Sequence, residues 1–99
     1  ILVEGRSILP REIMGLVENE TETRACLFQI VRTDREMSTL KLRVGYDTAR
    51  LMGPEAALRG RLHDKIFDAI GVPLVVELVD EQELLKLGPP HKIPRVTKS

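Results

Sequence analysis

Leu40-Lys41-Leu42-Arg43-Val44-Gly45-Tyr46 alternates an apolar residue with a charged one or a glycine at every step. A period of two sends Leu40, Leu42, Val44 and Tyr46 to one face of a strand and Lys41, Arg43 and Gly45 to the other. The stretch therefore predicts a strand that is half buried. Just upstream, Cys26-Leu27-Phe28-Gln29-Ile30-Val31 is almost continuously apolar, the pattern of a central strand covered on both faces. The polar run from Thr33 to Ser38 is the turn between them, so the two strands are expected to lie antiparallel.

Downstream, Gly53-Pro54 opens a helix in which Leu58, Leu62, Ile66, Ala69 and Ile70 form a stripe at helical spacing, while Arg59, Arg61, Asp64 and Lys65 stay in water. Gly71 is its natural stop. Leu74 to Val79 predicts a fourth strand, and Asp80 to Leu85 a short helical turn. Upstream, Ile1–Val3 and Ile8-Leu9 predict two short strands bent at Gly5, and Pro10 opens a helix to about Asn19 with Ile13, Leu16 and Val17 on one stripe. The order β, α, β, β, α, β predicts an α+β, ferredoxin-like two-layer sandwich over residues 1–99: an antiparallel sheet with two helices on one face.

Composition narrows the function. Fifteen Lys and Arg balance fifteen Asp and Glu, so no overall field draws the chain to nucleic acid or to a membrane. Three aromatics and no Trp leave little to stack on bases. No apolar run nears the roughly 18 residues that span a bilayer, and the start has neither a basic region nor a cleavage site. With a single cysteine, Cys26, in an apolar run, a cytoplasmic protein is expected. The start lacks a methionine and lies inside an expected strand, as if cut from something longer. Ninety-nine residues make one small domain that contributes to a site rather than enclosing one.

His63 and His91 are far apart, with no Cys, Asp or Glu at ligand spacing on a shared face, so no metal site is expected. No nucleophile–base arrangement and no phosphate-cradling glycine loop can be read either. What remains is the tail, Gly88-Pro89-Pro90-His91-Lys92-Ile93-Pro94-Arg95-Val96-Thr97-Lys98-Ser99, in which prolines hold a segment extended around one amine, Lys92. Such a lysine suits delivery of positive charge to a phosphate or carboxylate on another surface. The competing reading is a solvated basic tail.

The two ends resemble a family. Ile1-Leu2-Val3-Glu4-Gly5-Arg6-Ser7-Ile8-Leu9-Pro10-Arg11-Glu12-Ile13 resembles the start of the small C-terminal domain of adenylate-forming enzymes, as carried by phenylacetate-CoA ligases. That start runs apolar residues, Gly, a small polar residue, an apolar pair, Pro, an acidic or amide residue, then Ile. Gly5, Ser7, Ile8, Leu9, Pro10, Glu12 and Ile13 fit it. His91-Lys92-Ile93-Pro94-Arg95-Val96 resembles the family's terminal lysine motif, Gly-Lys, two residues, Arg-Val. His91 replaces the family's Gly, a departure that bears on how the loop flexes, and the hinge residue expected before Ile1 is absent along with the large domain.

The resemblance implies a ligase that activates an aryl or other carboxylic acid with ATP and Mg2+ to an acyl-adenylate and passes it to coenzyme A. In it, a large N-terminal adenylation domain holds the substrates and this chain is the lid, inactive alone and free to sit in a homodimer. Lys92 is then the catalytic amine of the first half-reaction. Gly5, with Arg6, Ser7 and Arg95, is expected to contact the cofactors, Gly5 letting backbone approach the pantetheine channel in the second. The order of elements equally suits a regulatory domain that senses a small ligand between protomers. It also suits a single-sheet RNA binder, which the absence of an exposed aromatic on Leu40–Val44 argues against.

Overall fold

A computed structural model of the chain describes residues 2–98; Ile1, expected to open the first strand, and Ser99 lie outside them. The chain begins with a hairpin of β1 (Leu2–Val3) and β2 (Arg6–Ser7), in which Leu2 faces Ser7 and Val3 faces Arg6. Its two turn residues, Glu4 and Gly5, both have positive φ, 53° and 78°. A two-residue turn with that backbone matches the twist of the strands it joins. The second strand thus falls at Arg6–Ser7 and not, as expected, at Ile8–Leu9. So tight a turn sets Arg6 directly opposite Val3, and Ile8 is released into the core.

Helix α1 (Pro10–Glu18) starts where Pro10 tolerates it, and the Glu12 carboxylate reaches back to accept from the Leu9 amide at 2.6 Å. Ile13 and Val17 are buried. β3 (Phe28–Val31) and β5 (Leu40–Tyr46) form the expected antiparallel pair, with Phe28 opposite Val44 and Ile30 opposite Leu42. Between them lies β4 (Glu36–Met37), inside the stretch expected to be only a turn, and it pairs parallel to β1. Helix α2 (Glu55–Ile70) buries Leu58, Leu62, Ile66 and Ile70 and ends on Gly71 at φ 76°. Ala69, expected on that stripe, is exposed. β6 (Leu74–Asp80), α3 (Glu81–Leu85), a 3-10 turn over Pro90–Lys92 and β7 (Val96–Thr97) complete the chain.

The two-layer α+β architecture stands, with a mixed sheet in place of the antiparallel one expected. The larger sheet runs β6-β5-β3-β7, with β5 parallel to β6 and β3 parallel to β7. The physical reason lies in the connections. A helix as long as α2 carries the chain back to the end where β5 began, so β6 must run in the same direction. The first strand leaves this sheet for a smaller one, β2-β1-β4.

Alternation then sorts the faces. Phe28, Ile30, Leu42, Val44, Leu74 and Val76 join α1 and α2 in the main core, where each large apolar side chain contributes about 1.5–3 kcal/mol. Gly45 points the other way, toward α3: a Cβ there would lie 3.0 Å from the Glu81 Cα. On that second face Leu27, Leu84 and Ile93 form a smaller cluster. The expected two helices on one face are α1 and α2; α3 and the tail cover the other.

Candidate functional site

The tail does not fray from the domain. Pro89 and Pro90 fix φ for a tight turn in which the Lys92 amide donates to the Pro89 carbonyl at 2.8 Å. Ile93 is 4 % exposed, seated against Leu27 and Leu84. One residue on, the Pro94 carbonyl accepts from Gln29 Nε2 at 3.1 Å. Arg95 turns inward: Nη1 donates to the carbonyls of Cys26 and Phe28 at 2.8 and 3.3 Å, with the guanidinium 4.5 Å from the Phe28 ring centroid. The amides of Ile30 and Arg32 donate to the carbonyls of Arg95 and Thr97. Lys92 is exposed just before these anchors, a long cation at the start of a docked segment.

The hairpin is built differently. Its Glu4 amide donates to the Met37 carbonyl at 2.8 Å, tying the turn to β4, while Gly5, Arg6 and Ser7 are exposed. Arg6 lies 3.5 Å from Glu12 across the start of α1. A Cβ on Gly5 would meet only the far end of Glu36, 3.9 Å away. The turn therefore offers bare backbone to whatever faces it.

Gly5, Arg6 and Ser7 thus share one turn, and Lys92 and Arg95 share one segment, but the two groups belong to different sheets. An open groove of about 720 Å³ between α2 and β6, lined by Arg59, His63, Val75 and Glu77 among others, holds none of the expected site residues. Burial pushes the Cys26 thiol up, against the pull of Arg95 and with a further push from Glu18, which disfavours the reactive thiolate. Among the described residues no cluster of His, Cys, Asp and Glu could hold a metal ion, and no helix is long and apolar enough to cross a membrane.

No protein-family model and no curated protein sequence matches the chain. Solved structures do. A 2-hydroxyisobutyryl-CoA ligase in the postadenylation state, in complex with 2-HIB-AMP, superposes with a TM-score of 0.82 at 23% identity. The same ligase with R3-HIB-AMP gives 0.75, again at 23%. In both cases the match takes in 100% of this chain and 21% of the ligase. A domain of phenylacetate-coenzyme A ligase from Bacteroides vulgatus ATCC 8482 gives 0.75 at 21% identity, over 98% of this chain and 89% of that one.

This chain has the fold of a CoA-ligase domain. It spans about a fifth of the 2-hydroxyisobutyryl-CoA ligase, 21%, and nearly all of the Bacteroides vulgatus domain. Within that fold Lys92 and Gly5 are exposed, while Arg95 spends Nη1 on backbone and holds the tail. Sequence reading missed Gln29, Arg43 and Glu77, which join hands across three strands and end on Pro94. The available signal was Gln29, the one polar residue in an otherwise apolar run.

Proposed function

We propose that this chain is the small C-terminal lid of an ATP-dependent acid-CoA ligase of the phenylacetate type. In such an enzyme a larger N-terminal adenylation domain holds ATP with its Mg2+, coenzyme A and the carboxylic acid. The observation that carries the reading is the display of Lys92: exposed itself, it is followed directly by Ile93, Pro94 and Arg95, each tied to the domain. A fold shared over the whole chain with a ligase in complex with an acyl-AMP supports it.

In the first half-reaction a carboxylate oxygen attacks the α-phosphorus of ATP and pyrophosphate leaves. Two anions approach and the transition state gathers further negative charge, so an ammonium placed there by a closing lid lowers the barrier. Lys92 supplies that ammonium, and closure excludes water. In the second, the thiolate sulfur of coenzyme A attacks the acyl carbon and AMP departs. There the Gly5 turn, lacking a side chain, lets backbone border the pantetheine arm, with Arg6 and Ser7 beside it for the cofactor's polar groups. Arg95 serves the site by fixing the segment that bears Lys92.

A lid of this size contributes to a site rather than enclosing one, so the isolated chain should release no pyrophosphate from ATP. The longer polypeptide we propose should exchange labelled pyrophosphate into ATP only when an aryl or other carboxylic acid is present. Deleting the region matching residues 1–99 should abolish that exchange. Exchange that survives the deletion, or release by the isolated chain, overturns the reading.

A further inference from the structure

Three residues in direct cross-strand register make one polar row on the face that carries the tail. Gln29 of β3 lies opposite Arg43 of β5, and Arg43 opposite Glu77 of β6. Arg43 Nε sits 3.7 Å from the Glu77 carboxylate, and its Nη1 donates to Gln29 Oε1 at 3.2 Å. Gln29 Nε2 then donates to the Pro94 carbonyl at 3.1 Å. The orientation of the Gln29 amide follows from chemistry. A guanidinium can only donate, so it must face the amide oxygen, and this leaves the NH2 group for the carbonyl.

A buried polar side chain has to answer for its burial. Gln29 is 2 % exposed in a position where an apolar residue would extend the neighbouring run of Leu27, Phe28 and Ile30. Packing alone gives no reason for an amide there. Its bond to the tail does, because Pro94 stands two residues after Lys92 and itself has no amide to donate. At Pro94, between the packed Ile93 and the donating Arg95, the segment beyond the lysine is therefore held by what the domain donates to it.

We propose that Gln29, oriented by Arg43 and Glu77, is a positioning residue that sets the placement of the Lys92 segment on the domain. Its value to catalysis rests on the reading of Lys92 given above; the positioning itself does not.

The test is amide hydrogen exchange on this chain. Ile30 and Arg32 donate to the carbonyls of Arg95 and Thr97, so their amides report whether the tail is docked. Leu40 and Gly45, which donate to Pro73 and Leu27, report on the rest of the sheet. Gln29→Met keeps the volume and the fold, because Arg43 is only partly covered and Pro94 is exposed, so both can turn to water. Exchange at Ile30 and Arg32 should accelerate about tenfold in this variant, the weight of one lost hydrogen bond, with Leu40 and Gly45 unchanged.

Gln29→Glu gives a second readout that loss of packing would not produce. Its ionised carboxylate repels the Pro94 carbonyl, whereas the protonated acid can donate to it. The ratio of tail to reference exchange should therefore be high at neutral pH and fall on acidification. Tail exchange unchanged in both variants, or acceleration spread equally over all four amides, overturns the proposal. If the tail loosens but adenylation by the longer enzyme is untouched, positioning stands and the assignment of Lys92 fails.

Discussion

Arg95 lays its guanidinium over the Phe28 ring, 4.5 Å from the centroid, while its Nη1 donates to the Phe28 carbonyl. One residue of β3 thus receives the tail through both its π face and its backbone, and Cys26 accepts alongside. A flat guanidinium can stack and donate at once, which a lysine ammonium cannot do in the same place. Arg95→Lys should therefore cost about 1–2 kcal/mol of stability despite keeping the charge, and Arg95→Ala about as much or more. Urea unfolding midpoints decide this. A lysine variant as stable as the parent would mean that charge alone holds the tail.

Glycines at different places on the fold should respond to alanine with opposite sign. A Cβ at Gly45 would lie 3.0 Å from both the Glu81 Cα and the Leu84 Cδ1. Backbone cannot swing aside as a side-chain tip can, so Gly45→Ala should push α3 off the sheet at about 1–3 kcal/mol. In α2, a Cβ at Gly60 meets nothing within 4 Å. Gly60→Ala should therefore add about 0.5–1 kcal/mol through helix propensity. Thermal melts of the two variants check both signs.

Glu81 supplies a pH signature. Desolvation by burial raises its pKa above the ordinary 4.5, Asp47 and Asp80 raise it further, and Arg50 opposes them. A carboxyl with a raised folded-state pKa binds its proton more tightly folded than unfolded. Stability should therefore fall as pH climbs from about the ordinary glutamate value through the raised one. Glu81→Gln stays neutral, so it should be the more stable form at pH 7 and lose that advantage below the ordinary value. Denaturant titrations of both forms from pH 4 to pH 8 give the comparison. A difference independent of pH would show that Glu81 is not the group responsible.

The parts of the fold legible from sequence were those where one face is buried and the period is clean. Leu40–Tyr46 and the Leu58-Leu62-Ile66-Ile70 stripe are found where their spacing placed them. Ala69 failed because one methyl constrains a helix face weakly. β1 and the bend at Gly5 were also expected, but the two-residue strands β2, β4 and β7 carry too few positions for any period to show. They exist because the Glu4-Gly5 turn and the tail bring distant backbone into register, which is a tertiary fact. The site divides in the same way. The exposure of Lys92 could be expected of an isolated amine among prolines, whereas the inward turn of Arg95 onto Phe28 and the bond of Gln29 to Pro94 each join residues more than sixty positions apart in sequence.

If Lys92 and the Gly5 turn serve different half-reactions, single variants of the longer enzyme proposed above should separate them. Lys92→Ala removes one preorganised charge and should slow adenylation about 10²- to 10³-fold while leaving transfer from a preformed acyl-adenylate nearly intact. Gly5→Trp should do the reverse, but backbone strain has first to be separated from bulk. Gly5 has φ 78°, so any side chain there is strained, yet its Cβ would have open space apart from the tip of Glu36. Gly5→Ala shares the strain without the bulk and is therefore the control. Transfer should survive in the alanine variant and fail in the tryptophan variant, with adenylation spared in both. Both half-reactions need separate single-turnover measurement in all three variants. Equal losses in both steps for Lys92→Ala and Gly5→Trp would point to poor docking of the lid, and the division of labour between the two ends of the chain would then have to be withdrawn.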